Sequence, residues 1–369
     1  MPENKTKENN IPGTGLPAWS IGSPIIGVLV LIGVALGWGG AFMIVVAIAL
    51  VASVISSVHH AEVVAHRVGE PFGTLVLAIA ITIIEVALIV SLMLAGGEEA
   101  SALARDTVFA AVMIILNGII GLCLFVGGMK FREQKFGLYG VSASLITLIA
   151  ILTLTLILPN YTISKAGPEY NKSQLIFVAL VSVVLYGTFI LVQTVRHRDF
   201  FLPRSDDENV EAHAVPPTFK IAMISGFLLV VCLVAVVLLA KSLAPSIESA
   251  VINAGAPKSL VGVIIATVVL LPEGLAALRA ARKNRLQTSL NLSLGSALAS
   301  IGLTIPAVAI VSLTANLTLT LGIDTKSTVL LILSLFTIML TFATGRTNML
   351  PGVVLLVIFS VYLFTTIIP

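Results

Sequence analysis

The chain has 369 residues, of which 57% are hydrophobic and only 11% charged, and its mean hydropathy is +1.08. Ordinary soluble domains are roughly a quarter charged, so this composition excludes a soluble fold and predicts an all-α polytopic membrane protein. The net charge of +3 is small and dispersed, which gives no footing for nucleic acid binding and leaves the lipid bilayer as the expected environment.

Residues 1–19 begin MPENKTKENNIPGTG and are polar. They precede a long apolar span without an obvious small-residue cleavage site, so they are read as a cytoplasmic N-terminus and not as a signal peptide. A helix needs about 20 apolar residues to cross the bilayer. Runs of that kind fall at 20–38, 40–58, 70–95, 107–128, 138–158, 174–195, 218–240, 258–278, 286–313, 325–344 and 349–368, about eleven transmembrane helices. With the N-terminus inside, fifteen Lys and Arg residues fall in inner segments and six in outer ones. That asymmetry predicts a cytoplasmic N-terminus and an external C-terminus. The longest hydrophilic connection, 196–217, carries Asp206, Asp207, Glu208 and Glu211; it reads either as a solvated cytoplasmic linker or as a patch that attracts cations. Cys123 and Cys232 lie in apolar runs and read as small hydrophobes, with no disulfide framework and no metal site.

Only two acidic residues lie well inside the spans: Glu85 in TLVLAIAITIIEVALIVSLML and Glu273 in ATVVLLPEGLAAL. An ionised carboxylate at mid-bilayer costs roughly 2.5 kcal/mol or more, so such a residue faces a protein interior or a watery cavity and usually serves transport. The alternative for each is a protonated glutamate hydrogen-bonded between helices. Glu85 lies fifteen residues beyond Glu70 at one end of its helix, and Glu273 fifteen beyond Lys258. Fifteen residues span roughly 22 Å, so both acids sit near the membrane midplane. Their helices, the third and eighth, run in opposite directions.

This placement predicts an inverted-topology repeat with an ion site at its midplane interface. The extra helix would be 20–38, the first five-helix repeat 40–195, the linker 196–217 and the second five-helix repeat 218–369. The internal match is weak: Gly69-Glu70-Pro71 and Gly255-Ala256-Pro257 both precede the acidic helices, two residues out of register.

The helices that follow each acid supply candidate ligands. Asn117 stands in MIILNGIIGL, and Ser293, Gly295, Ser296 and Ser300 in LNLSLGSALASIGL. Amide and hydroxyl oxygens can complete a cation's coordination, and the small residues serve equally for close helix packing. Thr82 and Thr267 precede the glutamates by three and six residues, although a membrane threonine most often bonds its own helix. Pro272, lacking an N–H, leaves the Val268 carbonyl without its helical partner, either as a cavity-lining oxygen or within a packed kink. His59, Glu62 and His66 share one helical face, where they could relay protons, sense pH or simply pack. Their spacing in HHAEVVAH does not match HExxH, which weighs against a zinc protease. Glu98 and Glu99, on the outer side, could concentrate cations.

These residues resemble a known family. HHAEVVAHRVGEPFGTLVLAIAITIIEVALIV (59–90) and LLPEGLAALRAARKNRLQTSLNLSLGSALASIGLTIP (270–306) are similar to the two alpha repeats of the calcium/cation antiporter superfamily. The likeness is to its cation/proton exchanger branch and, within that, to the bacterial sodium, potassium and calcium/proton antiporters. TGRTNMLPGVVLLVIFSVYLF (344–364) looks like that branch's last hairpin. The resemblance implies a ten-helix inverted-repeat core, one extra N-terminal helix, an acidic connection, no cofactor, and one essential glutamate per repeat, carried here by Glu85 and Glu273. It further implies Ca2+, Na+ or K+ and H+ as the exchanged ions and a bacterial inner membrane as the location. The sequence departs from the Gly-Asn-Ala-x-Glu pattern of many exchangers, reading ITIIE and VLLPE instead. Two amide carbonyls that would help hold a divalent ion are therefore missing. A cation channel or uniporter and an intramembrane hydrolase are the rival functional classes; the first predicts ion flux without proton movement, and the second needs a catalytic pair. No GxxxxGK[ST] phosphate loop is present, which argues against direct ATP coupling.

Overall fold

The computed structural model describes residues 16–69, 72–96, 101–202, 217–257 and 259–368. Among them are eleven helices of 18 residues or more: α1 Ala18–Ala35, α2 Phe42–Val68, α3 Phe72–Gly96, α4 Leu103–Phe131, α5 Leu138–Tyr161, α6 Lys172–Arg196, α7 Phe219–Asn253, α8 Ser259–Arg282, α9 Leu286–Ala315, α10 Thr325–Phe342 and α11 Met349–Ile367. Each is long and apolar because lipid leaves no other partner for backbone N–H and C=O groups. Glu70, Glu98, Glu99, Lys258 and the acidic residues Asp206, Asp207, Glu208 and Glu211 lie outside the described residues.

Two helices run well past their expected ends. The span expected over 40–58 continues as helix α2 to Val68; α7 was expected to stop at 240 and continues through Lys241, Pro245 and Glu248 to Asn253. Two polar side chains of α2 find a partner on α1. Ser56 Oγ donates to the Ser20 carbonyl (2.8 Å), and His60 Nε2 lies 2.8 Å from the same oxygen. Both α2 and α7 end at a glycine with positive φ, Gly69 at 78° and Gly255 at 73°, each just ahead of a helix that carries a buried glutamate. Only glycine takes that conformation without strain.

The chain divides into two compact units. One holds residues up to Ile84 together with Glu211–Ser246; the other holds Glu85–Val210 and Ile247–Pro369. In the first, α1, α2 and the N-terminal part of α7 approach closely at Gly27, where a Cβ would stand 2.7 Å from Ser53 Oγ and 3.5 Å from Ala235 Cβ.

The second unit is built around α9, which packs on α4, α5, α6 and α8. Its core includes Ile115, Leu116, Leu148, Leu290, Leu298, Ile301 and Leu331, all fully buried. Side chains begin the outer helices: Asn171 and Gln174 form a capping box on α6, and Asp324 accepts from the Ser327 N–H at α10. An addition to the all-helical expectation is a pair of two-residue strands, Gln134–Lys135 and Arg346–Thr347, which join antiparallel between the α4–α5 and α10–α11 connections. Helix α4 is not uniform. Ile114–Ile119 forms a π-helical turn in its middle, a device that inserts a residue and often marks functional positions.

Candidate functional site

Glu85 is the fourteenth residue of the 25-residue α3, and Glu273 the fifteenth of the 24-residue α8. Both are buried, 5% and 8% exposed, and both belong to the second compact unit. Helix α9 brings them together. Ser300 Oγ donates to Glu85 Oε1 at 2.5 Å, and Ser296 Oγ approaches Glu273 Oε1 at 3.4 Å. Ser296 and Ser300 are four residues apart, one turn on the same face, so their Cβ atoms are about 5–6 Å apart. Carboxylates from two helices thus meet one face of a third at nearly one depth, close enough for their charges to interact.

The polar atoms around them are incompletely matched. Glu273 Oε2 and Asn117 Oδ1 are buried acceptors without a hydrogen-bond donor. Thr304 Oγ1, one turn beyond Ser300, is likewise buried and unmatched. Native proteins leave few such groups, and each needs a reason. Asn117 sits on the π-turn of α4, which abuts α8 one residue past Glu273: a Cβ on Gly274 would meet Ile119 Cδ1 at 3.2 Å. Carboxylate, amide and hydroxyl oxygens form a hard donor set suited to Ca2+, Na+ or K+. Among the described residues no group of three His, Cys, Asp or Glu side chains converges on a common metal position, so the set is unlike a transition-metal centre.

The other expected residues divide. Ser293 lies on the same face of α9, but its hydroxyl bonds the Ser289 carbonyl at 2.9 Å. Thr82 is buried one turn before Glu85. Thr267 is not brought to the carboxylates: it is exposed, and its hydroxyl bonds the Val263 carbonyl at 2.7 Å. Six residues at 100° each turn it about 120° away from Glu273 around the helix, which is the physical reason the expectation fails. Pro272 is buried within α8, which runs through it without interruption, and the Val268 carbonyl lacks the N–H that any other residue at 272 would supply.

His59 lies against Trp19, ring centroids 5.1 Å apart, while Glu62 and His66 are exposed. Among the described residues the fully buried histidine is His60, which the helical-face reading passed over. Cys123 and Cys232 are free and buried, as expected. Ser300 was legible as a candidate for either coordination or packing, but nothing in the sequence tied it to Glu85, 215 positions away.

Eleven apolar helices holding a pair of carboxylates define an integral membrane ion transporter. The sodium/calcium exchanger protein family matches residues 35–195 and 224–368, and the chain belongs to that family. It is therefore a transporter and not an enzyme. It is 51% identical over 320 residues to the putative ionic transporter y4hA of Sinorhizobium fredii (strain NBRC 101917 / NGR234), covering 87% of each chain. It is 35% identical over 320 residues to the sodium-potassium/proton antiporter ChaA of Escherichia coli (strain K12), covering 86% of each. The crystal structure of the H+/Ca2+ exchanger CAX shares the fold, with a TM-score of 0.70 at 17% identity over 94% of this chain and 87% of that one. The resemblance read from the alpha repeats is borne out at the level of the superfamily and its ChaA-like members.

Proposed function

We propose that the protein is a secondary active cation/proton antiporter that exports Ca2+, and Na+ or K+ beside it, in exchange for H+. The observation that carries this reading is the delivery of Glu85 and Glu273 to adjacent turns of α9. The named activity of the E. coli relative supports it.

A bare buried carboxylate is costly, so each glutamate must hold either a proton or a cation as the site passes between the two sides. A cation binding from one side displaces protons from the pair; protons arriving from the other side displace the cation. Competition for the same oxygens is what couples the two fluxes, and the cost of the empty, charged pair discourages leak. Ser296 and Ser300 orient the carboxylates, while Asn117 Oδ1, Thr82, Ser293 and the Val268 carbonyl freed by Pro272 are the supporting oxygens. Alternating access comes from rocking of an inverted repeat, 40–195 against 218–369, with the N-terminus cytoplasmic and the C-terminus outside the bacterial inner membrane. The glycines that end α2 and α7 support the duplication. Inward protons then drive cations outward. His59, Glu62 and His66 lie toward the inner end of α2, where a pH-sensing role fits better than a buried relay, since two of the three are exposed.

Inverted membrane vesicles that carry an imposed proton gradient test this directly. Addition of CaCl2, NaCl or KCl is expected to dissipate the gradient for at least one cation. A channel or uniporter would move the cation with no proton movement once the membrane potential is clamped, and that outcome would refute antiport.

A further inference from the structure

Asn117 presents a fully buried side chain whose two ends differ completely. Its Nδ2 donates to Ser334 Oγ at 2.9 Å and approaches Met113 Sδ at 3.7 Å, while its Oδ1 has no donor. An amide's orientation follows from its neighbours' hydrogen-bond roles. Ser334 gives its only proton to the Leu330 carbonyl at 2.7 Å, far better than the 3.9 Å approach to the Met113 thioether. Its oxygen can then only accept. The reversed amide would set Oδ1 against two acceptors, so Ser334 and Met113 together force the nitrogen toward α10 and the oxygen away from it.

We propose that Ser334 is a positioning residue for cation binding: by accepting from Asn117 Nδ2 it presents the Asn117 carbonyl oxygen, on the π-turn of α4, as a preset ligand for a hard cation. This rests on the exchanger reading above and deepens it. Ser334 itself touches no cation. Without its acceptor the amide is free to turn, and the oxygen must be ordered again each time an ion binds, which weakens binding with little effect on the later steps of transport.

The test uses the full chain in inverted vesicles, with Ser334→Ala, Asn117→Ala, the double variant and Ser334→Thr, titrated separately with CaCl2, NaCl and KCl. Ser334→Ala is expected to raise the half-saturating cation concentration about three- to tenfold, the effect of one modest hydrogen bond, with the maximal rate held within about twofold. Ser334→Thr, which keeps an accepting oxygen, is expected to restore half-saturation. In the Asn117→Ala background the serine change should add nothing, because it acts through the amide. Wild-type half-saturation in Ser334→Ala for all three cations, or additive effects in the double variant, would overturn the proposal. A Ser334→Ala protein that only lowers yield or maximal rate overturns it as well. Failure of the exchanger reading would look different, as no cation would move protons in the wild type.

Discussion

Glu85→Gln and Glu273→Gln are each expected to abolish cation/proton exchange in inverted vesicles while the protein still folds. Glutamine keeps the shape of glutamate and an oxygen that can accept the Ser300 or Ser296 hydroxyl, so the packing of α3 and α8 on α9 survives. It cannot carry the charge that balances a cation, nor can it release the proton that a cation displaces. Removing one charge from a buried set that depends on neutralisation costs roughly 3–5 kcal/mol, enough for a drop in exchange on the order of a hundredfold or more. The two variants should be similarly impaired, because the mechanism uses both carboxylates in every cycle. Full exchange in each of them would remove the site from the mechanism, whatever the family membership.

The second large effect concerns the fold. Gly352→Leu is expected to destroy most of the folded protein, whereas Gly187→Ala is expected to be neutral or mildly stabilising. Gly352 lies where α11 crosses α4, and a Cβ there would collide with the Phe125 backbone N and reach the Gly121 carbonyl oxygen at 2.8 Å. On the opposing helix, Gly121 leaves only 3.1 Å between its own added Cβ and Leu355 Cβ. Small residues on both sides let the backbones approach, and in lipid such packing holds helices together without a hydrophobic drive. A leucine must separate the helices, at a cost of about 3 kcal/mol or more, and α4 carries the π-turn with Asn117. Gly187, on α6, has open space around it, so an alanine there gains about 1 kcal/mol of helix propensity and meets nothing. Thermal melting of the purified variants distinguishes them; equal melting temperatures would show that the crossing is slack.

How much of this was legible in the sequence depends on what fixes each feature. The spans were legible because hydropathy alone decides whether a segment can sit in lipid, and eleven helices appear where eleven runs were expected. Helix ends were less so. The expected span closed at 58 because hydropathy falls over the polar residues beyond it, and the partner of His60, the Ser20 carbonyl on another helix, is invisible to a local window. Glu85 and Glu273 stood out because a carboxylate in an apolar run is costly and therefore rare. Ser300 was a candidate whose role stayed open and Ser334 was passed over, because a serine in a membrane helix is inexpensive, and its meaning comes from a neighbour more than 200 positions away. The π-turn around Asn117 was equally hidden, since one inserted residue changes register without changing composition. Thr267 failed on geometry that was available beforehand: proximity in sequence to Glu273 is not proximity around a helix.

Competition between cations and protons for Glu85 and Glu273 is tested most directly by proton release. Purified protein in weakly buffered detergent solution would be titrated with CaCl2, NaCl or KCl while pH and bound cation are followed together. Wild-type protein is expected to release protons as the transported cation binds, and to need more cation for half-saturation as the pH falls, because protons hold the same oxygens. Glu85→Gln and Glu273→Gln should each release fewer protons and bind more weakly. Cation binding with no proton release, or release undiminished in both variants, would contradict the account.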